Sequence, residues 1–182
     1  MKNNNQPKIL LINPPNEFER PTLPLGLASI AAYLKSNDIN NISVIDAWVE
    51  GMSFNEIENR ISQSEADIIG IYMISPCYNA AKTTIKIARK ALPNSIIIAG
   101  GPHPSAMPFE TLNDIPQLDI CVIGEGEITM FELVKTVKNN TPLSEVDGIA
   151  FREKNGVIIT GPREVIKNLD SLPFPDRTLF PL

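Results

Sequence analysis

The sequence alternates short apolar runs with longer segments of helical periodicity, and this alternation limits the fold more than any other feature. Continuous apolar runs are typical of strands that are buried on both faces of a parallel sheet. The clearest run is Ile96-Ile97-Ile98-Ala99, which ends at Gly100 and Gly101. Ligands of open α/β sheets bind at the carboxyl ends of strands, where glycine lets them approach the backbone. The glycine pair is therefore a candidate binding site, with a tight strand-to-helix turn as the alternative interpretation.

Five strands and the intervening helices follow from the same pattern. We predict strands over residues 8–12, 42–46, 67–72, 95–99 and 119–123. We predict helices over residues 25–35, 79–91 and 127–138, a helix after the Ser53–Glu56 capping box, and a short helical turn over 108–112. This order predicts right-handed βαβ units in an α/β, flavodoxin-like (Rossmann-like) parallel sheet of five strands with the order 2-1-3-4-5.

The pattern changes after residue 140, and four regions are expected. Residues 1–7 are a disordered head and residues 8–140 form the α/β domain. Residues 141–168 form a β-hairpin around Asn155-Gly156, interpreted as an appendage outside the parallel sheet. Residues 169–182 are rich in proline yet apolar, so we expect this linker to continue into, or dock on, another domain.

Composition excludes several classes of function. The chain has 182 residues and a net charge of −5, without a basic patch, so nucleic acid is not an expected partner. It has no signal-peptide pattern and no apolar run near the roughly 20 residues of a membrane span. Cys77 and Cys121 do not have metal-type spacing, which favours reduced thiols in a cytoplasmic protein. His103 is the only histidine, so we assign no catalytic residue and no metal ligand.

The loops that follow strands one, three, four and five are expected to meet at one edge of the sheet. They contain neither a Gly-x-Gly-x-x-Gly nor a Walker-type Gly-Lys-Ser/Thr motif, which disfavours dinucleotides and nucleoside triphosphates. Glu125 and Glu127 stand at the start of the last helix, where they would repel a phosphate and accept hydrogen bonds from hydroxyl or amide groups. Helix capping is the alternative interpretation of Glu127.

Five segments in this order resemble the N-terminal cobalamin-binding domain of class B radical S-adenosylmethionine enzymes. They are KILLINPP, PLGLASIAAYL, IIGIYMIS, IIIAGGPHPS and ICVIGEGE. The ending LDSLPFPDRTLFPL resembles the linker to the radical domain of that family. Cobalamin domains in general carry Asp-x-His-x-x-Gly after strand one, Ser-x-Leu after strand three and Gly-Gly after strand four. Ser75 and Gly100-Gly101 match the last two, Cys77 replaces the leucine, and the histidine motif is missing, as in the radical family.

The resemblance implies that the chain carries cobalamin at the edge of the sheet, without a histidine of the first loop on cobalt. Ser75 would hydrogen-bond near the base of the detached nucleotide tail, and the two glycines would make room for it. Substitution of either glycine by valine is then expected to abolish corrinoid binding and leave the fold largely intact, and His103→Ala is expected to leave the cobalamin spectrum unchanged. The residues expected at the cofactor are Asn13, Pro14, Pro15, Leu25, Gly26, Ser75, Pro76, Gly100, Gly101, Pro102, His103, Gly124, Glu125, Gly126 and Glu127.

The family also binds S-adenosylmethionine and a 4Fe-4S cluster through Cys-x-x-x-Cys-x-x-Cys, which this sequence lacks. The resemblance therefore implies that the chain is the cofactor-carrying part of a larger radical enzyme, with the radical domain as its partner. That enzyme would catalyse methyl transfer or oxidative cyclisation, as the anaerobic magnesium-protoporphyrin monomethyl ester cyclase does. Two alternatives remain open: a docking or structural domain of the same family that has lost cobalamin, and another flavodoxin-like ligand-binding domain.

Overall fold

A computed structural model describes residues 6–16 and 22–181 of the chain. The expected head therefore lies largely outside the described residues, as does part of the loop after the first strand. The strands β1 to β7 span Ile9–Asn13, Ile42–Asp46, Ile68–Tyr72, Ile96–Gly100, Ile120–Val122, Ile149–Glu153 and Gly156–Ile159. The helices α1 to α6 span Leu25–Ser36, Phe54–Ser64, Tyr78–Ala91, Pro102–Ala106, Pro108–Asp114 and Glu127–Asn139.

One sheet of seven strands has the order β2-β1-β3-β4-β5-β6-β7. The first five strands are parallel and have the predicted order. The prediction of five strands with a separate hairpin is wrong, because β6 pairs antiparallel with β5 and β7 pairs antiparallel with β6. Without the hairpin, β5 would be an open edge with unpaired backbone groups. The hairpin covers that edge, and Ile149, Ala150 and Phe151 are buried.

Two apolar layers sandwich the sheet. Helices α1 and α6 pack on one face, together with Phe180 near the C-terminus. Helices α2, α3 and α5 contribute the other layer. Because helices cover both faces of the sheet, nearly every residue of β1, β3, β4 and β5 is buried. The predicted capping box at the start of α2 is confirmed, since Ser53 and Glu56 exchange hydrogen bonds there.

Two short helical segments follow β3 and β4. Pro102–Ala106 form the short helix α4, since proline at the first helical position has the backbone angle that a helix requires. Residues 75–77 form a 3-10 helix before α3. No helix of the described ranges is long and apolar enough to cross a membrane.

Candidate functional site

A cavity of about 280 Å³ opens at the carboxyl ends of the parallel strands, between the sheet and helices α1 and α6. We call it the main cavity. Its floor is formed by β1, β3, β4 and β5, and its walls by α1, α6 and the turn that precedes α6. Eight of the expected cofactor residues line it: Gly26, Gly100, Gly101, Pro102, Gly124, Glu125, Gly126 and Glu127. The sequence therefore predicted the turns around the cavity.

The sequence interpretation missed the floor and walls. The lining residues that were not predicted are apolar, apart from the hydroxyl group of one tyrosine. They are Leu11, Leu27, Ile30, Gly70, Ile71, Tyr72, Ile98, Val122 and Met130. Gly70 was the one detectable signal among them, because a single glycine within an apolar strand often marks a close approach of the backbone to another group. The other floor residues are indistinguishable from ordinary core residues in the sequence.

The glycines around the main cavity have different structural roles. At Gly100 a Cβ atom would lie 3.8 Å from Cβ of Val122, an ordinary contact, so the side chain itself would enter the cavity. At Gly101 φ is +115° and a Cβ atom would lie 2.8 Å from the carbonyl oxygen of Met73. Only glycine suits that backbone. The expectation that a valine at position 101 leaves the fold largely intact is therefore wrong.

A second cavity of about 230 Å³ lies beside the main one, with Tyr72 lining both. Its described lining includes Asn13, Pro14, Trp48 and Cys77. Asn13 is only 5% exposed, and its Nδ2 donates to Oδ1 of Asp46 at 2.8 Å. Burial raises the pKa of the Tyr72 hydroxyl, which is neutral at physiological pH. The second cavity therefore presents a side-chain amide next to an aromatic residue.

Ser75 and His103 form a pair on the rim, where Oγ of Ser75 lies 2.9 Å from Nδ1 of His103. The imidazole also packs on Tyr78, with ring centroids 4.7 Å apart. The Tyr78 hydroxyl donates to Asp114, and burial together with this bond raises its pKa. Ser75 is exposed, and neither it nor His103 is among the described residues that line the two cavities.

The remaining expected residues lie outside the main cavity. Leu25 is 52% exposed at the start of α1. Pro76 is exposed in the 3-10 helix, and Pro15 is half-buried in the loop after β1. The structure thus brings the glycine turns together and leaves these three residues at the periphery.

The fold is a doubly wound α/β domain, and its main cavity lies at the carboxyl edge of the sheet, where ligands of such folds bind. A family model described as "B12 binding domain" matches residues 16–134. The chain therefore belongs to the B12 binding domain family.

Two curated relatives extend well beyond the matched region. The chain is 33% identical over 181 residues to an uncharacterized methyltransferase of Pyrococcus horikoshii, covering 96% of this chain and 39% of the relative. It is 32% identical over 171 residues to the anaerobic magnesium-protoporphyrin IX monomethyl ester cyclase of Synechocystis. This match covers 90% of this chain and 34% of the relative. The chain thus spans between about a third and two fifths of these relatives.

Solved structures show the same fold. The cobalamin-dependent S-adenosylmethionine radical enzyme OxsB with aqua-cobalamin bound is similar, with a TM-score of 0.83 and 27% identity over 94% of this chain and 24% of that chain. The radical S-adenosylmethionine methyltransferase TsrM of Kitasatospora setae, with cobalamin and a [4Fe-4S] cluster bound, has a TM-score of 0.78. It is 17% identical and covers 94% of this chain and 32% of that chain, so this likeness concerns the fold alone.

Proposed function

We propose that this chain binds cobalamin at the carboxyl edge of its sheet, with the base of the detached nucleotide tail in the main cavity. The observation that carries the proposal is the open floor at Gly100. Glycine at the end of β4 leaves space that any larger side chain would fill, on the face shared with Val122. An apolar cavity that is open above two strand glycines suits a flat aromatic base.

The size of the main cavity supports the tail rather than the corrin ring as its occupant. Its volume of about 280 Å³ is just below the range of about 300–1,000 Å³ for small-molecule pockets. A corrin ring would therefore lie across the rim, where the turns before α4 and α6 surround the opening. Glu125 and Glu127 there can accept hydrogen bonds from its neutral amide side chains. When bound, cobalamin supplies methyl-carrying or one-electron chemistry at cobalt, and the protein supplies its binding and orientation.

We further propose that the chain is the cofactor-carrying part of a larger radical S-adenosylmethionine enzyme, which transfers a methyl group or cyclises its substrate oxidatively. The names and lengths of the relatives support this proposal. In it, residues 169–182 lead to the radical domain, which holds the 4Fe-4S cluster and S-adenosylmethionine. A cytoplasmic location is part of the proposal, because thiols such as that of Cys121 stay reduced there.

Visible absorption titrations with hydroxocobalamin and dicyanocobinamide test the binding site, since cobinamide lacks the nucleotide tail. We expect a saturable shift toward the base-off spectrum with cobalamin. We expect Gly100→Val to weaken cobalamin binding by about tenfold or more, because overpacking costs roughly 1–3 kcal/mol, and to leave cobinamide binding unchanged. Ser43→Val, in an exposed position of β2, is the matched control and should bind both ligands normally.

Two results would contradict the proposal. Equal losses for cobalamin and cobinamide in a folded Gly100→Val protein would place the tail elsewhere. Absence of binding by this chain and by a longer protein that contains it would favour the docking-domain alternative. Binding by the longer protein alone would show that a second domain completes the site.

A further inference from the structure

Burial raises the pKa of the Asp46 carboxyl group, and hydrogen bonds from the Asn13 side chain and from the backbone N–H groups of Val49 and Trp48 lower it. Asp46 ends β2 and is 0% exposed. Its Oδ1 accepts from Nδ2 of Asn13 at 2.8 Å and from the backbone N–H of Val49 at 3.3 Å. Its Oδ2 is buried without a hydrogen-bond partner among the described residues. A buried polar atom without a partner costs about 1–3 kcal/mol, so the carboxylate is retained against a cost.

The position of Asp46 points to Asn13 as the residue on which it acts. The two residues are register partners at the carboxyl ends of β2 and β1. The amide NH₂ of Asn13 faces Asp46, because its Nδ2 is the atom that donates to Oδ1 of the carboxyl group. The amide oxygen of Asn13 then faces away from Asp46, and Asn13 lines the second cavity beside Tyr72. Pro14 follows immediately and restricts the backbone of Asn13 to extended conformations.

We infer that Asp46 is a positioning residue, which holds the side-chain amide of Asn13 so that its oxygen accepts a hydrogen bond from an amide side chain of the bound corrinoid. This inference rests on the proposed function. It adds a polar contact in the second cavity to the apolar contacts that the main cavity would make with the nucleotide tail. A fixed amide oxygen selects a ligand with N–H donors and disfavours an anionic group at that point. The ring amides are present in cobalamin and in cobinamide, so this contact is independent of the tail.

A double-mutant cycle tests the inference with the 182-residue chain. The variants are Asn13→Ala, Asp46→Ala, the double variant and the conservative Asp46→Asn, titrated at neutral pH with hydroxocobalamin and dicyanocobinamide. We expect each alanine substitution to lower the affinity for both ligands by roughly three- to tenfold, which corresponds to the net contribution of one hydrogen bond. We expect the double variant to be no weaker than Asn13→Ala alone, because Asp46 acts through Asn13. Asp46→Asn retains an oxygen that accepts from Asn13 and should bind within about twofold of the wild type.

The outcomes distinguish a failure of this inference from a failure of the proposed function. Additive losses in the double variant, or normal binding by folded Asp46→Ala, overturn the positioning role and leave cobalamin binding by the wild type in place. Loss of cobalamin alone, with cobinamide unchanged, would move the contact to the tail and also overturn it. Absence of binding by the wild type, alone and within a longer protein, overturns the proposed function and with it this inference. If Asp46→Ala does not fold, Asp46→Leu, which neither donates nor accepts, takes its place in the cycle.

Discussion

Gly70 on β3 lies opposite Leu11 on β1, and a Cβ atom at position 70 would be only 2.9 Å from Cδ2 of Leu11. The Leu11 side chain thus occupies the space that a larger residue at position 70 would need. Both residues belong to the floor of the main cavity, so the shape of that floor depends on their packing.

Gly70→Ala is expected to reshape the main cavity without unfolding the protein. The neighbouring atom is the end of a flexible side chain, so Leu11 can move, and it moves toward the cavity. Overpacking of roughly 1–3 kcal/mol predicts about a tenfold loss of cobalamin affinity with little change for cobinamide. Titrations with both ligands measure this difference. The combined Gly70→Ala, Leu11→Ala variant should recover cobalamin affinity, and a further loss would show that Leu11 is not the obstacle.

Gly101→Ala is expected to destabilise the fold itself. The residue has a φ of +115° and a Cβ atom would meet the carbonyl oxygen of Met73, so the cost exceeds about 1 kcal/mol. Gly26→Ala is the control, because a Cβ atom in α1 has nothing within 4 Å and alanine favours a helix. Urea unfolding compares the two variants. Equal stability of Gly101→Ala and the wild type would contradict the strain at this position.

The sequence alone predicted that Gly100 and Gly101 lie at the edge of the sheet beside a cavity. A glycine pair at the end of an apolar run reveals a strand end, and the order of apolar runs reveals which ends share an edge. The sequence does not reveal which face of the sheet is open there, because that depends on how α1 and α6 pack. Tyr72 was therefore missed, although it lies beside Gly100 in the sheet and lines both cavities. The hairpin was misplaced for a similar reason: its turn is local, whereas its pairing depends on the free edge of β5.

His103→Ala is expected to leave the visible spectrum of bound hydroxocobalamin unchanged. The Nδ1 atom of His103 is within hydrogen-bond distance of Ser75 Oγ, and its ring packs on Tyr78, which accounts for its position on the rim. The absorption spectrum of the variant at saturating ligand checks this expectation, with His103→Gln as a polar control. A displaced cobalt-dependent band in both variants would identify His103 as a ligand.

Asp176→Asn is expected to loosen the C-terminal segment at neutral pH. A hydrogen bond from Lys35 lowers the pKa of Asp176 to about 2, and bonds from Thr178 contribute. Because this value lies below the unfolded value near 3.9, the stabilisation is present above about pH 4 and disappears as the pH falls toward 2. The ion pair between Lys35 and Asp176 stabilises the segment by about 1 kcal/mol at most, which corresponds to a change of roughly fivefold in the hydrogen-exchange protection factor.

Hydrogen exchange of the backbone amide at position 176, which donates to the carbonyl of Ala28 at 3.0 Å, reports on this segment. Its protection factor should fall at acid pH in the wild type and be low at neutral pH in Asp176→Asn. Asp170→Asn, an exposed position of the same segment, should behave as the wild type. Equal protection in all three proteins would show that the ion pair does not hold the segment.

The attachment of this segment to α1 also determines where a following domain would start. Phe180 is 5% exposed among the residues that pack on α1 and α6, and α1 is a wall of the main cavity. A domain joined to this segment would begin on the face of the sheet that carries α1 and α6, the face on which the main cavity lies. Its approach to a bound cofactor would be an intramolecular event, at an effective concentration of about millimolar for a short connection. The docked segment would thus reduce the entropic cost of bringing a second domain to the cofactor.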